Sequence, residues 1–320
     1  MPTTKIRSMP PGLSLLDTRN LPADGILDLF WRADRLQALS EKFGQFYDPN
    51  RKAPSRIVCC LFFEPSTRTR MSFQTAAYRL GHQVLTMESG SSSLAKGETQ
   101  GDTVLNIVAM KPDALVIRYG INTELDQILP ELKIPVISAG GGVSTHPTQA
   151  LLDAYTIIKH KGSLQGRKVL IVGDVRYSRV ARANFDVLQK LGADIGVCGP
   201  ESLLPQAGQM PGVTVFSSLD VATAWADVYM GLRIQLERHQ AEELQLKSLD
   251  DYHRHFGLNR ERLALLKKDA LIMHPGPINH GVEFASEVLQ DPRTRVLDQV
   301  SNGVLIRAAV LEKIFEGTGD

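Results

Sequence analysis

The chain has 320 residues, 43% of them hydrophobic, enough to bury the cores of two domains, and its 36 Lys and Arg against 35 Asp and Glu leave a formal charge of +1. So even a balance excludes a whole-molecule field for nucleic acid or an anionic membrane, and any affinity for anions has to be local. The longest apolar stretch, Ile57 to Phe63, falls far short of the roughly 20 residues that cross a bilayer, and the segment with Lys5, Arg7 and Pro10-Pro11-Gly12 lacks the apolar core of a secretory signal, so a cytoplasmic location is expected.

In chain order, Ile57 to Phe62 reads as the first strand. After Glu64-Pro65-Ser66, the residues Phe73, Ala76, Ala77 and Leu80 recur at helical spacing and Gly81 ends the helix. Strands are expected at Gln83 to Met87, Ala114 to Arg118 and Ile134 to Ser138, with helices around Thr103 to Met110 and Asn122 to Leu129. The flexible Gly140-Gly141-Gly142 follows, then a helix opening at Pro147, whose ring suits a first turn, with Leu151, Ala154, Tyr155 and Ile158 as its apolar stripe. Past Lys161-Gly162 the alternation restarts, with a strand at Lys168 to Val172, a helix at Arg179 to Leu191 and a strand at Asp194 to Cys198. Further strands are expected near Val213 to Phe216, Asp227 to Met230 and Leu271 to Met273. A last helix from about Val304 puts Val304, Ala308, Leu311 and Phe315 on one face and needs a packing partner.

This alternation implies an α/β fold of two domains, each a mostly parallel sheet flanked by helices, joined by an interdomain helix and with a returning C-terminal helix. The expected domains are residues 1-146, with about 303-320 returning to them, and residues 147-302. Cys59, Cys60 and Cys198 show no CxxC spacing and read as reduced, buried thiols. His253-Arg254-His255 reads as an exposed run, nothing clusters like a metal site, and no cofactor is expected.

Ser66-Thr67-Arg68-Thr69-Arg70 stands where a helix begins after a strand. Free N–H groups, the helix dipole, hydroxyls and a guanidinium there suit a phosphate, but the same residues fit a Ser66 cap with Arg68 and Arg70 in solvent. No GxxxxGK[ST] occurs and Val172-Gly173-Asp174-Val175 lacks GxGxxG, so nucleotide binding is not expected.

The full string Glu64-Pro65-Ser66-Thr67-Arg68-Thr69-Arg70 resembles the carbamoyl phosphate signature of the aspartate and ornithine carbamoyltransferase family. His146-Pro147-Thr148-Gln149-Ala150-Leu151-Leu152-Asp153 and His274-Pro275-Gly276-Pro277 resemble two further motifs of that family, in family order. Ser91-Ser92-Ser93-Leu94-Ala95-Lys96-Gly97-Glu98-Thr99 looks like the mobile loop of the aspartate-using members, which lends a lysine to a neighbouring subunit. The late motif lacks the cysteine of the ornithine-using members' His-Cys-Leu-Pro, although Gly276 departs from the leucine found in some aspartate-using ones.

The resemblance therefore implies carbamoyl phosphate and L-aspartate as substrates, N-carbamoyl-L-aspartate and phosphate as products in pyrimidine biosynthesis, no cofactor or metal, and a cyclic homotrimer with shared active sites. Whether trimers pair through regulatory chains, join a dihydroorotase-like partner or stand alone stays open. It further implies that Ser66, Thr67, Arg68 and Thr69 hold the phosphate, while Thr69, Arg118 and His146 polarise the carbonyl. Gln149 and the Gly276 and Pro277 carbonyls accept from the carbamoyl NH2. Arg179 and Arg233, supported by Gln235, bind the aspartate carboxylates, and Lys96 adds a cation beside Ser92 or Ser93. Arg68, Thr69, Arg118 and His146 form the catalytic set, with closure of the two halves over the substrates as the expected motion. Without the resemblance, Arg179 and Arg233 would read as solvated surface residues. The rivals are an ornithine-using sibling, whose substrate would want an acidic partner, and a silent homologue, which would be expected to have lost some of these side chains.

Overall fold

Strands buried on both faces are read from unbroken apolar runs, and β-branched runs between helical segments fold here as parallel strands in each half of the chain. The computed structural model describes residues 14–50, 54–88, 97–141, 145–206, 210–234 and 248–316. They divide into two units, one holding the described residues up to Leu152 together with those from Val300 onward, the other Asp153–Gln299. The division falls inside two helices and not at the expected His146/Pro147 junction.

In chain order the first unit runs α1 (Ala23–Phe43), β1 (Ile57–Phe62), α2 (Thr67–Arg79), β2 (Gln83–Glu88), α3 (Gln100–Ala109), β3 (Ala114–Arg118), α4 (Thr123–Ile128), β4 (Val136–Ser138) and the start of α5 (Pro147–Lys161). Its sheet is parallel in the order β2-β1-β3-β4. Val58 to Phe62 of the central β1 are all buried. β4 begins at Val136, later than the expected Ile134, because the intervening Pro135 has no N–H to give a ladder. Leu15 extends the edge by pairing with β4, donating to Val136 O at 2.8 Å and accepting from Ser138 N at 2.9 Å.

Helix α1 was not among the expected elements. Its buried Ile26, Leu29, Phe30, Ala33 and Leu36 follow helical spacing, and Gly44 ends it at φ +72°. The last helix, α10 (Val296–Phe315), starts before the expected Val304 because Leu297 and Val300 in its first turns are exposed and carry no stripe. Beyond Val300 its Ile306, Ala309, Val310, Leu311 and Ile314 are buried in the first unit. Arg307 donates to Ser72 Oγ at 2.8 Å and lies 5.2 Å from the Phe73 ring, while Arg32 of α1 pairs with Glu312 at 3.3 Å and Glu316 at 2.8 Å.

The second unit contains β5 (Lys168–Val172), α6 (Arg179–Lys190), β6 (Asp194–Cys198), β7 (Val213–Val215), α7 (Leu219–Trp225), β8 (Val228–Gly231), α8 (Leu249–Phe256), α9 (Arg260–Leu265) and β9 (Leu271–Met273). All its strands are parallel, in the order β7-β6-β5-β8-β9. Leu170, Val172, Tyr229, Ile272 and Phe284 lie in its core. The three thiols are buried and free, and burial pushes Cys59 up to about 11, Cys60 to about 12 and Cys198 to about 11, so they are poor nucleophiles near neutrality. Among the described residues no helix is long and apolar enough to cross a membrane.

Each sheet reverses its winding beside its first strand: β1 lies between β2 and β3, and β5 between β6 and β8. At such a reversal the loops leaving the carboxyl ends diverge and open a crevice. In the first unit these are the loops after Phe62 and Arg118, and in the second those after Val172 and Gly231.

Candidate active site

A helix N-terminus carries partial positive charge and is normally relieved by an acid in its first turn. α1, α3, α4, α7, α8, α9 and α10 follow that rule; α2, α5 and α6 have none. α2 instead opens with Thr67-Arg68-Thr69-Arg70 and α6 with Arg179, an arrangement suited to an anionic ligand.

At α2, Ser66 takes the cap position with φ −161° and ψ 84°, yet its side chain makes no capping hydrogen bond. The capping alternative therefore does not describe it. Thr69 is buried, Ser66 half-buried, and Thr67 and Arg68 are exposed. The register Phe62↔Arg118 sets Arg118 level with the end of β1, and its Nη2 lies 3.8 Å from Glu64 Oε2. Arg118 Nη1 donates to Ala139 O at 3.0 Å. Gly140 follows at φ +102°, and a Cβ built there would stand 2.7 Å from Arg118 Nη1 and 3.3 Å from His146 Cδ2. The guanidinium and the imidazole thus flank one glycine. Gly141 pairs with Thr145 in an antiparallel bridge that returns the chain to His146, whose carbonyl accepts from Gln149 N at 3.0 Å. His146 and Gln149 are both buried.

The expected stripe on α5 understates its burial: Ala150 to Ile157 are buried without a break, including Asp153 and Thr156. Asp153 Oδ2 accepts from Asn184 Nδ2 at 2.9 Å and Oδ1 from Gln299 Nε2 at 2.7 Å. Gln299 Oε1 in turn accepts from His274 N at 2.9 Å. Sequence reading gave neither Glu64 nor Asp153 a role; their places inside two motifs were the available signal.

In the second unit, Gly173 at φ +122° lets the end of β5 approach the loop after β8, since a Cβ there would come within 2.8 Å of Leu232 O. Ser178 caps α6 by accepting from Ala181 N at 3.1 Å, which fixes Arg179 as its first residue. Arg179 and Arg233 are half-buried, not the solvated residues that composition alone suggests. Partial burial, and then Arg179 beside it, push the Arg182 guanidinium below its ordinary pKa, with Asp174 opposing them. After β9, His274 Nδ1 accepts from Gly276 N at 2.8 Å, which in the neutral ring leaves the proton on Nε2. Its ring packs edge-on against Phe284 at 5.3 Å, so His274 shapes the turn, and a cis peptide joins Gly276 to Pro277.

Lys96, Ser92, Ser93, Gly142 and Gln235 lie outside the described residues. His253 departs from the exposed reading: it is half-buried, with Nδ1 2.9 Å from Val282 O, whereas His255 is exposed and 3.4 Å from Asp251. Among the described residues no three His, Cys, Asp or Glu side chains are placed to hold a metal ion.

Two family models match the chain: the carbamoyl-P binding domain of aspartate/ornithine carbamoyltransferase over residues 14–159, and its Asp/Orn binding domain over residues 165–314. The chain is 45% identical over 307 residues to the aspartate carbamoyltransferase catalytic subunit of Chlorobium phaeovibrioides, covering 93% of this chain and 97% of the relative. It superposes with a TM-score of 0.82 and 27% identity on the Trypanosoma cruzi aspartate transcarbamoylase solved with carbamoyl phosphate and aspartate, covering 95% of this chain and 96% of that one. The ornithine carbamoyltransferase of Pyrococcus furiosus gives a TM-score of 0.83 at 28% identity, covering 97% of this chain and 99% of that one. The fold alone thus fits either substrate class, whereas all three motifs, both domain models and the full-length relatives agree on one lineage: the chain belongs to the aspartate/ornithine carbamoyltransferase family.

Proposed function

We propose that the chain transfers the carbamoyl group of carbamoyl phosphate to the amine of L-aspartate, giving N-carbamoyl-L-aspartate and phosphate. The observation that carries this reading is the meeting of Arg118 and His146 at Gly140, in the same unit as an α2 N-terminus that has arginines and no acid. Ser66, Thr67, Arg68 and Thr69 bind the phosphate with hydroxyls, N–H groups and a guanidinium fork. Thr69, Arg118 and His146 donate to the carbonyl oxygen, which draws electron density from the carbon and stabilises the oxyanion formed when the amine adds. Gln149 accepts from the carbamoyl NH2, as do the Gly276 and Pro277 carbonyls.

The tetrahedral species collapses by breaking the bond to phosphate, and the departing phosphate takes the proton that the amine loses. No covalent intermediate with the protein is needed. Arg179 and Arg233 receive the two carboxylates of aspartate, with Gln235 and Lys96 in support. Ornithine would present a cationic side chain to the same arginines, which disfavours it.

The deciding experiment measures phosphate release and the N-carbamoyl product with carbamoyl phosphate and either L-aspartate or L-ornithine, with and without a chelator. Turnover with aspartate alone, insensitive to the chelator, is the expected result; turnover with ornithine alone would reverse the substrate assignment.

The proposal extends to a cytoplasmic homotrimer in which Lys96 serves a neighbour's site. Exposed Ile57, Leu85 and Met110, grouped with Met87 and Ile107 around one apolar recess of the first unit, support burial of that face against another subunit. Mixing Arg68→Ala chains with Lys96→Ala chains should then restore part of the activity, because some hybrid sites draw both residues from unmutated copies. No recovery despite verified subunit exchange would mean that each site is complete within one chain.

A further inference from the structure

Two loops of the second unit, one carrying Arg233 and one carrying Gly276 and Pro277, are tied together by a single buried carboxylate. Glu283 is 3% exposed. Its Oε1 accepts from Ile234 N at 2.9 Å and from Asn279 Nδ2 at 2.9 Å, and its Oε2 accepts from Asn279 N at 2.7 Å. Asn279 Nδ2 also donates to Ile234 O at 3.3 Å. Ile234 directly follows Arg233, and Asn279 stands two residues past Pro277.

The donors to this carboxylate among the described residues are N–H groups, none from a cation. Burial pushes the Glu283 carboxyl above the usual range, and the N–H groups of Ile234 and Asn279 pull it back only in part. A carboxyl buried among N–H donors is an expensive way to fasten two loops, since apolar packing would do so without desolvation. What apolar packing cannot do is fix two backbones at hydrogen-bond spacing. The base of the device is rigid: Glu283 O accepts from Leu258 N at 2.8 Å, and the adjoining Phe284 is fully buried, 5.3 Å from the His274 ring and 6.2 Å from Tyr229.

We infer that Glu283, acting through Asn279, is a positioning residue that sets the spacing between the Arg233 guanidinium and the Gly276 and Pro277 carbonyls, and with it the affinity for the dicarboxylate substrate. This rests on the aspartate reading above. A glutamine at 283 keeps the shape but turns an NH2 toward one of the donors, so one loop is released while the core stays filled.

The test compares wild type, Glu283→Gln and Asn279→Ser for the KM of aspartate, the KM of carbamoyl phosphate and thermal unfolding. The expected result is an aspartate KM raised about 10- to 100-fold in Glu283→Gln, the loss that follows one broken hydrogen bond to a charged group, with a clearly smaller rise in the carbamoyl phosphate KM, because Ser66 to Thr69 still hold the phosphate when the Gly276 and Pro277 carbonyls shift. Asn279→Ser should show the same selective change in smaller degree, and it carries the comparison if Glu283→Gln does not fold. An unchanged aspartate KM in folded variants, or an equal rise in both KM values with a lowered Tm, would overturn the inference and leave Glu283 as a structural residue. A wild-type protein that ignores aspartate would instead overturn the substrate reading, and this inference with it.

Discussion

Arg118→Ala should lower kcat by about two to three orders of magnitude, the range found when one preorganised donor to a developing oxyanion is removed. The side chain is held from two sides, by Ala139 O at 3.0 Å and by Glu64 at 3.8 Å, so its fork is aimed before any substrate arrives. Preorganisation of this kind is what makes a donor worth more at the transition state than in the ground state. The KM for carbamoyl phosphate should therefore rise less than kcat falls, because α2 continues to hold the phosphate. Arg118→Lys keeps the charge but loses the planar fork, cannot hold the Ala139 carbonyl and the substrate oxygen together, and should recover little. The measurement is steady-state kinetics beside urea unfolding of the same preparations. A loss of less than tenfold in a stable Arg118→Ala protein would remove Arg118 from the catalytic set.

Asp153→Ala is expected to destabilise the second unit by about 3 kcal/mol, since hydrogen bonds to a buried charged group each contribute about 1.5–3 kcal/mol and both donors would lose that acceptor, Asn184 Nδ2 keeping only Val180 O at 3.1 Å. Those donors are Asn184 Nδ2 and Gln299 Nε2, on residues that are 0% and 2% exposed. Asp153→Asn fills the space and retains one acceptor, so it should fall between alanine and wild type. The effect should extend to the turn after β9, because Gln299 also holds His274 N. Faster hydrogen exchange at that amide would register the release, while the urea midpoint registers the global loss. An unchanged midpoint in Asp153→Ala would mean that solvent reaches these amides, contrary to the packing around them.

The strands were readable because the central members of a parallel sheet are buried on both faces and leave unbroken apolar runs, as at Val58 to Phe62 and Val169 to Val172. Helices were harder. In α1 the exposed Leu27 and Trp31 blur the stripe that Ile26, Leu29, Phe30, Ala33 and Leu36 would otherwise show, and α7, α8 and α9 have too few turns for a period to emerge. The arginines of the candidate site were legible only through their motifs. The close approach of the loops after β5 and β8, which lead to Arg179 and Arg233, is permitted by Gly173 and announced by no local pattern. The buried carboxylates were the least legible of all. Asp153 finds Gln299 across 146 positions, and Glu283 finds Ile234 across 49, distances over which only folding creates a relation.

The second unit begins at Asp153 and ends at Gln299, and these two residues hydrogen-bond to each other at 2.7 Å. A chain that leaves a unit where it entered has, in effect, been inserted into another. During synthesis this imposes an order. The inserted unit emerges whole and can close its ends together as soon as Gln299 clears the ribosome, whereas the first unit still lacks α10, which covers α1 and α2 with buried Ile306, Leu311 and Ile314. The half of the protein made first is therefore the half completed last, and a nascent chain stopped anywhere before Ile314 would expose the apolar faces that attract chaperones.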